Sequence, residues 1–189
     1  MYTNLKGVYT NLKGEKWTRS VVELKTMTIG EWIPSVDWAS LQKLSLTVLR
    51  SAEAEPFGIV HLPNLREVSI AFLSQEVAEE NSLDYKSFAS LIFDCKRLEI
   101  FNLQLEDNNG IVGFDEEDFN RRLENIRYFR LKILTLQCID QHNYRNRAFF
   151  PFNSLCKLVD RCKDLVYLEC KLESNEQVQI LKNKGYFVR

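Results

Sequence analysis

Two segments of this chain, 67 residues apart, follow the same residue pattern. Residues 87–107 have the sequence SFASLIFDCKRLEIFNLQLED, and residues 154–174 have SLCKLVDRCKDLVYLECKLES. When the two are aligned, Ser, Leu, Cys, Lys, Leu, Leu and Glu recur at the same places. Self-similarity at a fixed spacing is typical of repeat architectures, in which each unit buries its apolar face against its neighbours. The chain is therefore best analysed as copies of one unit.

Each copy predicts a helix followed by a strand. In its first half, apolar residues three, four and seven positions apart fall on one helical stripe: Phe88, Leu91, Ile92 and Cys95, and likewise Leu155, Leu158, Val159 and Cys162. In its second half, apolar residues alternate, which is typical of a strand with one buried face: Leu98, Phe101, Leu103 and Leu105, and likewise Leu165, Leu168, Cys170 and Leu172. The strand half has the form L-x-x-L-x-L.

The same strand motif occurs elsewhere in the chain. Its first positions are expected at Leu24, Leu41, Leu65, Leu98, Leu131 and Leu165. Three residues before each lies a second column that we expect to be buried: Val21, Trp38, Leu62, Cys95, Tyr128 and Cys162. The helix before Leu131 has apolar residues that do not align with those of its neighbours, so either that helix rotates or its turn differs in length. Its acidic start, residues 115–118, suits the positive end of the helix dipole.

The segments CKRLEIFNL and CKDLVYLEC, which begin at Cys95 and Cys162, resemble the cysteine-containing class of leucine-rich repeat found in F-box proteins. The resemblance covers about residues 20–175. It implies an α/β fold, a leucine-rich repeat solenoid with a curved parallel sheet and with helices and loops on the convex side. The steps of 33, 33 and 34 residues between later copies exceed the ~20–29 usual for this repeat, so the extra residues are expected in loops.

The length predicts one domain. Residues 1–16, which contain YTNLKG twice, are expected to form an N-terminal tail or cap, and residues 17–189 the repeat domain. From about residue 174, a capping box at Ser174–Gln177 predicts a helical cap that ends at Gly185, with a short closing strand after it.

Composition restricts the partners and the compartment. The formal net charge is −1, which gives no electrostatic case for nucleic acid, and no apolar run approaches the ~20 residues of a membrane span. The odd count of five cysteines, most at inward positions of the repeat, favours an intracellular location, cytoplasmic or nuclear. We expect a protein partner, either alone or within a multi-subunit complex.

No motif for catalysis, cofactor binding or metal binding is visible. The chain has two histidines, neither near a nucleophile motif, and its seven glycines form no phosphate-binding loop. Cys138, His142, Cys156 and Cys162 lack the close pairing that structural zinc sites prefer. We therefore expect no enzyme activity, no cofactor and no metal.

The outward residues of the strands are the expected partner site. They would form three columns on the concave face, beginning at Thr26, Thr28 and Gly30. The candidate contact residues lie at the far end of these columns: Ile100, Ile133 and Tyr167 in the first, Asn102, Thr135 and Glu169 in the second, and Gln104, Gln137 and Lys171 in the third. The first three predict an exposed apolar strip, and such patches often mark interaction sites.

The insertion at residues 140–153 has two interpretations. Its phenylalanines can pack beneath the following helix, since large apolar side chains are usually buried. Alternatively, the insertion is a partner-contacting loop, as insertions in repeat proteins often are. The candidate loop residues are Tyr144, Arg145, Arg147, Phe149 and Phe150.

Three binding roles and one catalytic role fit these features. The resemblance implies a non-catalytic scaffold, and in F-box proteins substrate recognition for an SCF-type ubiquitin ligase, although residues 1–20 are too short and polar to form the F-box helices. An inhibitor or effector that occludes a target protein is a second role, and a structural subunit of a large complex is a third. An enzyme would need residues scattered through the sequence.

Overall fold

A computed structural model of the chain describes residues 23–26, 38–48, 62–72, 85–106, 111, 113–139, 150–170, 172 and 174–186. Six strands in these ranges form one sheet, in which every pairing is parallel and the strand order follows the sequence. The strands are β1 (Glu23–Thr26), β2 (Lys43–Val48), β3 (Glu67–Phe72), β4 (Ile100–Glu106), β5 (Ile133–Ile139) and β6 (Tyr167–Cys170).

Four α-helices accompany the sheet, so the chain has an α/β fold. They are α1 (Tyr85–Asp94), α2 (Glu116–Glu124), α3 (Phe152–Asp160) and α4 (Asn175–Asn183), and a short 3-10 helix spans Trp38–Ser40. Helices α1, α2 and α3 each lie between two successive strands, as the repeat predicted. No helix in the described ranges has the length and apolarity needed to cross a bilayer.

A repeated backbone arrangement begins the strands. The carbonyl oxygens of four residues each accept hydrogen bonds from two successive N–H groups of the next unit, with N···O distances of 2.7–3.2 Å: Gln42, Arg66, Glu99 and Lys132. Just before this point, Leu65, Leu98 and Leu165 each donate a backbone hydrogen bond to the residue three positions earlier. The three copies that begin at Leu65, Leu98 and Leu165 therefore share one turn geometry, because the same backbone bonds form at the same motif positions.

The inward residues of strands and helices form one apolar core. In the sheet, Val68, Phe101, Leu134 and Leu168 are completely buried and occupy one row across β3 to β6. Above this row, Phe119 of α2 is completely buried among four other rings: Phe88 at 6.1 Å, Phe93 at 5.1 Å, Phe114 at 5.4 Å and Phe150 at 5.2 Å between centroids. Since burying one such side chain is worth about 1.5 to 3 kcal/mol, this cluster is a main contribution to the packing of helices on the sheet.

The ends of two helices confirm their sequence signals. Asp115 is the N-cap of α2, and its carboxylate accepts a hydrogen bond from the N–H of Asp118 at 2.8 Å. Ser174 caps α4 in the same way through the N–H of Gln177, and Gly185 follows α4 with a φ of 92°, which favours glycine. Of the predicted closing strand, Tyr186 is not in a strand, and its hydroxyl donates to the carbonyl of Val159; Phe187 and Val188 lie outside the described residues.

The prediction for the first copy of the motif was wrong by three residues. Leu24 pairs with Leu44, not with Leu41, and Thr26 pairs with Leu46, so Thr26 does not share a column with Lys43. The error arose because two frames of the sequence fit the motif, one starting at Leu24 and the other at Val21. The predicted positions of Thr28 and Gly30 lie outside the described residues.

The prediction that Tyr128 is buried was also wrong. Helices α1 and α3 begin 15 residues before their following strands, whereas α2 begins 17 residues before β5, so the turn after α2 is longer. Tyr128 is 50% exposed in this turn, and the next residue, Phe129, takes the buried position and forms a backbone bridge to Cys162. The sequence left open whether α2 is rotated or the turn after it differs in length, and the structure has a longer turn.

We expect Phe119→Ala to destabilise the protein by about 3 to 5 kcal/mol, because it removes the ring that the four neighbouring phenylalanines surround. Urea unfolding followed by circular dichroism measures this as a lower midpoint at an unchanged slope. The control is Ile180→Ala on α4, where the side chain is 38% exposed, and we expect a change within about 0.5 kcal/mol. Equal effects of the two substitutions would contradict a core centred on Phe119.

Candidate functional site

The strand register brings the predicted outward residues into columns. Ile100, Ile133 and Tyr167 are successive partners across β4, β5 and β6, and so are Asn102, Thr135 and Glu169. Gln104 pairs with Gln137 in the third column. All eight side chains are partly exposed, whereas the residues between them are buried. We call the surface formed by these eight residues the open face. Lys171, the ninth candidate, lies outside the described residues.

The first column of the open face contains an apolar strip. Ile100, Ile133 and Tyr167 occupy neighbouring strands, which are about 4.8 Å apart in any sheet, so their side chains are adjacent. None of the three belongs to the buried core. Towards β2 the column becomes charged, because Lys43 and Glu67 form an ion pair with 2.7 Å between Nζ and Oε2. The apolar strip is thus confined to one end of the sheet.

Hydrogen bonds orient the polar side chains beside the strip. The amide of Asn102 donates to the hydroxyl of Ser69 at 3.2 Å. The hydroxyl of Tyr167 donates to the carboxylate of Glu169 at 2.7 Å, along the same face of β6. These contacts hold the side chains in defined positions before any partner arrives, which lowers the entropy lost on binding.

Charged residues form a ladder at the amino-terminal edge of the sheet, one residue before the first column. The carboxylate of Glu99 lies 3.4 Å from the guanidinium of Arg66 and 2.7 Å from the ammonium of Lys132. The hydrogen bond from Lys132, with the charges of Lys132, Arg66 and Arg130, lowers the pKa of Glu99. At the next position of this edge stands Val166, which is 73% exposed.

Phe150 does not belong to a partner-contacting loop. Its ring is 4% exposed and lies 4.9 Å from Phe114 and 5.7 Å from Phe88, measured between centroids. The packing interpretation is thus confirmed for Phe150 as far as its burial, although its ring contacts are with Phe88 of α1, Phe119 of α2 and Phe114 rather than with the following helix. The remaining loop candidates lie outside the described residues: Tyr144, Arg145, Arg147 and Phe149.

The described cysteines are packing residues. Cys95, Cys162 and Cys170 are buried, and burial raises the pKa of each thiol to about 12, in Cys95 with help from the nearby charge of Asp94. Burial also raises the pKa of the half-buried Cys156. At neutral pH these groups are protonated, and the thiolate is the form that attacks carbon or binds metal. Among the residues that the structure describes, no three His, Cys, Asp or Glu side chains are grouped as metal ligands.

A cleft of about 720 Å³ opens between the carboxyl-terminal ends of α1 and α2, and the sequence analysis did not anticipate it. Its lining includes Lys96 and Arg97 from one turn and Tyr128 and Arg130 from the other. The available signals were the KR pair after Cys95 and the RYFR run at residues 127–130. Neither pair of basic residues predicts a site by itself, because the two turns come together only when the units stack.

No family model, no curated protein and no solved structure matches this chain. The function must therefore be argued from the chain's own geometry. The open face and the cleft are the two surfaces that the described residues offer.

The Glu99 ladder makes stability depend on pH in one direction. Because its pKa is lower in the folded state, the Glu99 carboxylate stabilises the fold above the unfolded pKa, which is about 4.5. This contribution is lost as pH falls through the folded pKa. We expect Glu99→Gln to lower the free energy of unfolding at pH 7 by at most about 1 kcal/mol, since the pairs are exposed.

Urea unfolding at several pH values checks this prediction. The difference between wild type and Glu99→Gln should be constant from pH 7 to about pH 5.5 and should shrink below about pH 4.5. If Glu99→Gln is instead more stable than wild type at pH 7, and this advantage disappears as pH falls, the Glu99 charge opposes folding.

Proposed function

We propose that this chain is a leucine-rich repeat solenoid that acts as a non-catalytic scaffold and binds a protein partner on its open face. Three findings support the solenoid: the strands pair in sequence order, the backbone bonds at the strand starts repeat, and Cys95 and Cys162 take equivalent buried positions. Each unit then contacts mainly its neighbours, as in repeat proteins generally.

The observation that carries the binding proposal is the apolar strip of the open face. Ile100, Ile133 and Tyr167 remain partly exposed although the chain has a continuous core that could have taken them. Contiguous exposed apolar residues with a polar rim are typical of protein interaction sites. The polar residues Asn102, Thr135, Gln104 and Gln137 supply that rim. Tyrosine is also among the residue types that most often dominate binding energy at an interface.

The size of the sheet limits how a partner binds. Six strands that average about six residues, about 4.8 Å apart and rising about 3.3 Å per residue, make a sheet plane of roughly 24 by 20 Å, or about 500 Å². The open face covers only the three strands β4 to β6 of this plane. A stable interface usually buries about 800 Å² on each partner. The partner in our proposal therefore extends past the open face, and the exposed Val166 and the Glu99 ladder make the amino-terminal edge the first place for further contacts.

The role of the complex rests on the sequence resemblance alone. If the resemblance to the repeats of F-box proteins extends to function, the partner is a substrate of an SCF-type ubiquitin ligase. An inhibitor would instead hold one enzyme in a fixed ratio, and a structural subunit would be found with a whole particle. The proteins that bind through the open face distinguish these roles.

We expect Ile133→Glu to abolish partner capture, because it places a charge in the middle of the apolar strip where a partner would exclude water. Tyr167→Ala should also abolish partner capture. Tagged wild type and variants are used to isolate partners from cells, followed by quantitative mass spectrometry. The melting temperatures of both variants should stay close to that of wild type, since these side chains lie outside the core.

The matched control is Ile180→Glu, which makes the same chemical change on the exposed side of α4. Proteins lost with Ile133→Glu and retained with Ile180→Glu are the partners of the open face. If the two variants retain the same proteins, the open face is not the binding surface. A large loss of stability in Ile133→Glu would show that this residue is a packing residue.

A further inference from the structure

The cleft between α1 and α2 has two walls of different origin. One wall is the end of α1 and the turn that follows it, with Phe93, Lys96 and Arg97. The other wall is the turn after α2, residues 125–130. The volume of about 720 Å³ is within the ~300–1,000 Å³ range of sites that hold small ligands or short peptide segments.

The cleft opens beside the turn after α2, which spans residues 125–132 and is longer than the turns at 95–99 after α1 and 161–166 after α3. The register between β4 and β5 is fixed by seven paired residues, so the extra residues cannot enter the sheet. They widen the turn instead and expose Tyr128 at the cleft.

The floor of the cleft is apolar and its rim is basic. Ile92, Phe93, Leu98 and Phe129 are core residues whose edges line the floor. Four cationic side chains also line the cleft: Arg66, Lys96, Arg97 and Arg130. No carboxylate is among the lining residues that the structure describes. This is a local excess of positive charge on a chain with a net charge of −1.

Two of the four cations are available to an anion. Lys96 and Arg130 are exposed and make no ion pair or hydrogen bond with another side chain in the described parts of the chain. Arg97 donates to the neutral amide oxygen of Asn64 at 2.7 Å, so its charge is not neutralised. The carboxylates near the cleft are Glu99, which pairs with Arg66 and Lys132 and also interacts through its charge with Arg130, and Asp94, near Cys95.

We propose that this cleft binds an acidic segment of a partner protein, which sets one large apolar side chain on the floor and carboxylates beside Lys96, Arg97 and Arg130. Charge complementarity selects the acidic residues, and the apolar floor with Tyr128 at its side selects the apolar one. A nucleic acid is the poorer fit, because its binding needs an extended basic face and a basic domain, whereas this chain has a pI of about 6.2.

This site is separate from the open face and does not depend on the function proposed for it. The cleft lies on the helix side of the amino-terminal edge, and of its lining residues only Arg66 belongs to the charged ladder. A partner confined to the open face and a segment in the cleft would therefore meet different side chains, and only a partner that extends onto the ladder would share Arg66 with the cleft.

The test uses the full-length protein and a set of short fluorescein-labelled peptides, measured by fluorescence anisotropy. Each peptide has two acidic residues on either side of a central Leu, Ile, Met, Phe or Trp. A second set has serine at the centre, and a third has lysine in place of the acidic residues. A labelled oligothymidylate represents nucleic acid. We expect at least one acidic peptide with an apolar centre to bind below about 1 mM, and its serine and lysine counterparts to bind at least tenfold more weakly.

The variants are Lys96→Glu and Arg130→Glu, and each should weaken the binding of that peptide by about tenfold, because a repulsion replaces an attraction. The matched control is Lys163→Glu. Lys163 is exposed, follows Cys162 as Lys96 follows Cys95, and lies outside the cleft lining. Lys163→Glu changes the net charge by the same amount, so it should leave the affinity unchanged. Circular dichroism and melting temperature confirm that all variants are folded.

Five results would overturn the proposal, and the first four concern the peptides and the charge variants. They are the absence of binding by every acidic peptide at 1 mM, equal losses in Lys163→Glu and Lys96→Glu, equal affinity for the serine-centred peptide, and tighter binding of the oligothymidylate than of any peptide. Ile133→Glu on the open face should keep the peptide affinity of wild type. A loss in that variant would place the peptide on the open face and would also overturn the cleft as its site.

Discussion

The structure depends on the in-register stacking of parallel strands over one shared apolar interior. A single helix–strand unit cannot bury its apolar face, so Phe101 and Leu134 are excluded from water only because neighbouring strands place matching residues beside them. A slip of one residue in any pairing would turn every inward side chain of that strand to the solvent. The cost of such a slip fixes the register, and the repeated backbone bonds at Arg66, Glu99 and Lys132 reinforce it.

The same constraint produces both surfaces that we consider functional. Because the inward residues fix the register, the outward residues are also aligned, and Ile100, Ile133 and Tyr167 form a continuous strip although they are far apart in the sequence. Because the sheet accepts no extra residues, the additional residues after α2 enlarge a turn, and the cleft opens beside it. The regular part of the repeat thus forms the open face, and its main irregularity forms the cleft.

The sequence predicted what the repeat imposes and missed what depends on single turns. The inward columns of β2 to β6 follow from apolar alternation, and the caps at Asp115 and Ser174 follow from local hydrogen bonding, so both were predictable. Tyr128 was placed in the core because counting back from Leu131 assumes a turn of constant length. The frame at Leu24 was wrong because a four-residue strand with few apolar residues fits the motif in two ways. The cleft could not be predicted, since Lys96 and Arg130 line one space only when the units stack and the turn after α2 has its actual length.

The amino-terminal edge connects the two surfaces electrostatically. Glu99 lies one residue before the apolar strip, and its carboxylate interacts with Arg66 and Arg130, both of which line the cleft. An acidic segment in the cleft would approach these cations and compete with Glu99 for them. A partner on the open face that reaches Lys132 would draw away the other cation of the same ladder. In the proposed complexes a segment in the cleft and a partner that extends from the open face onto the ladder would therefore compete for the same charges.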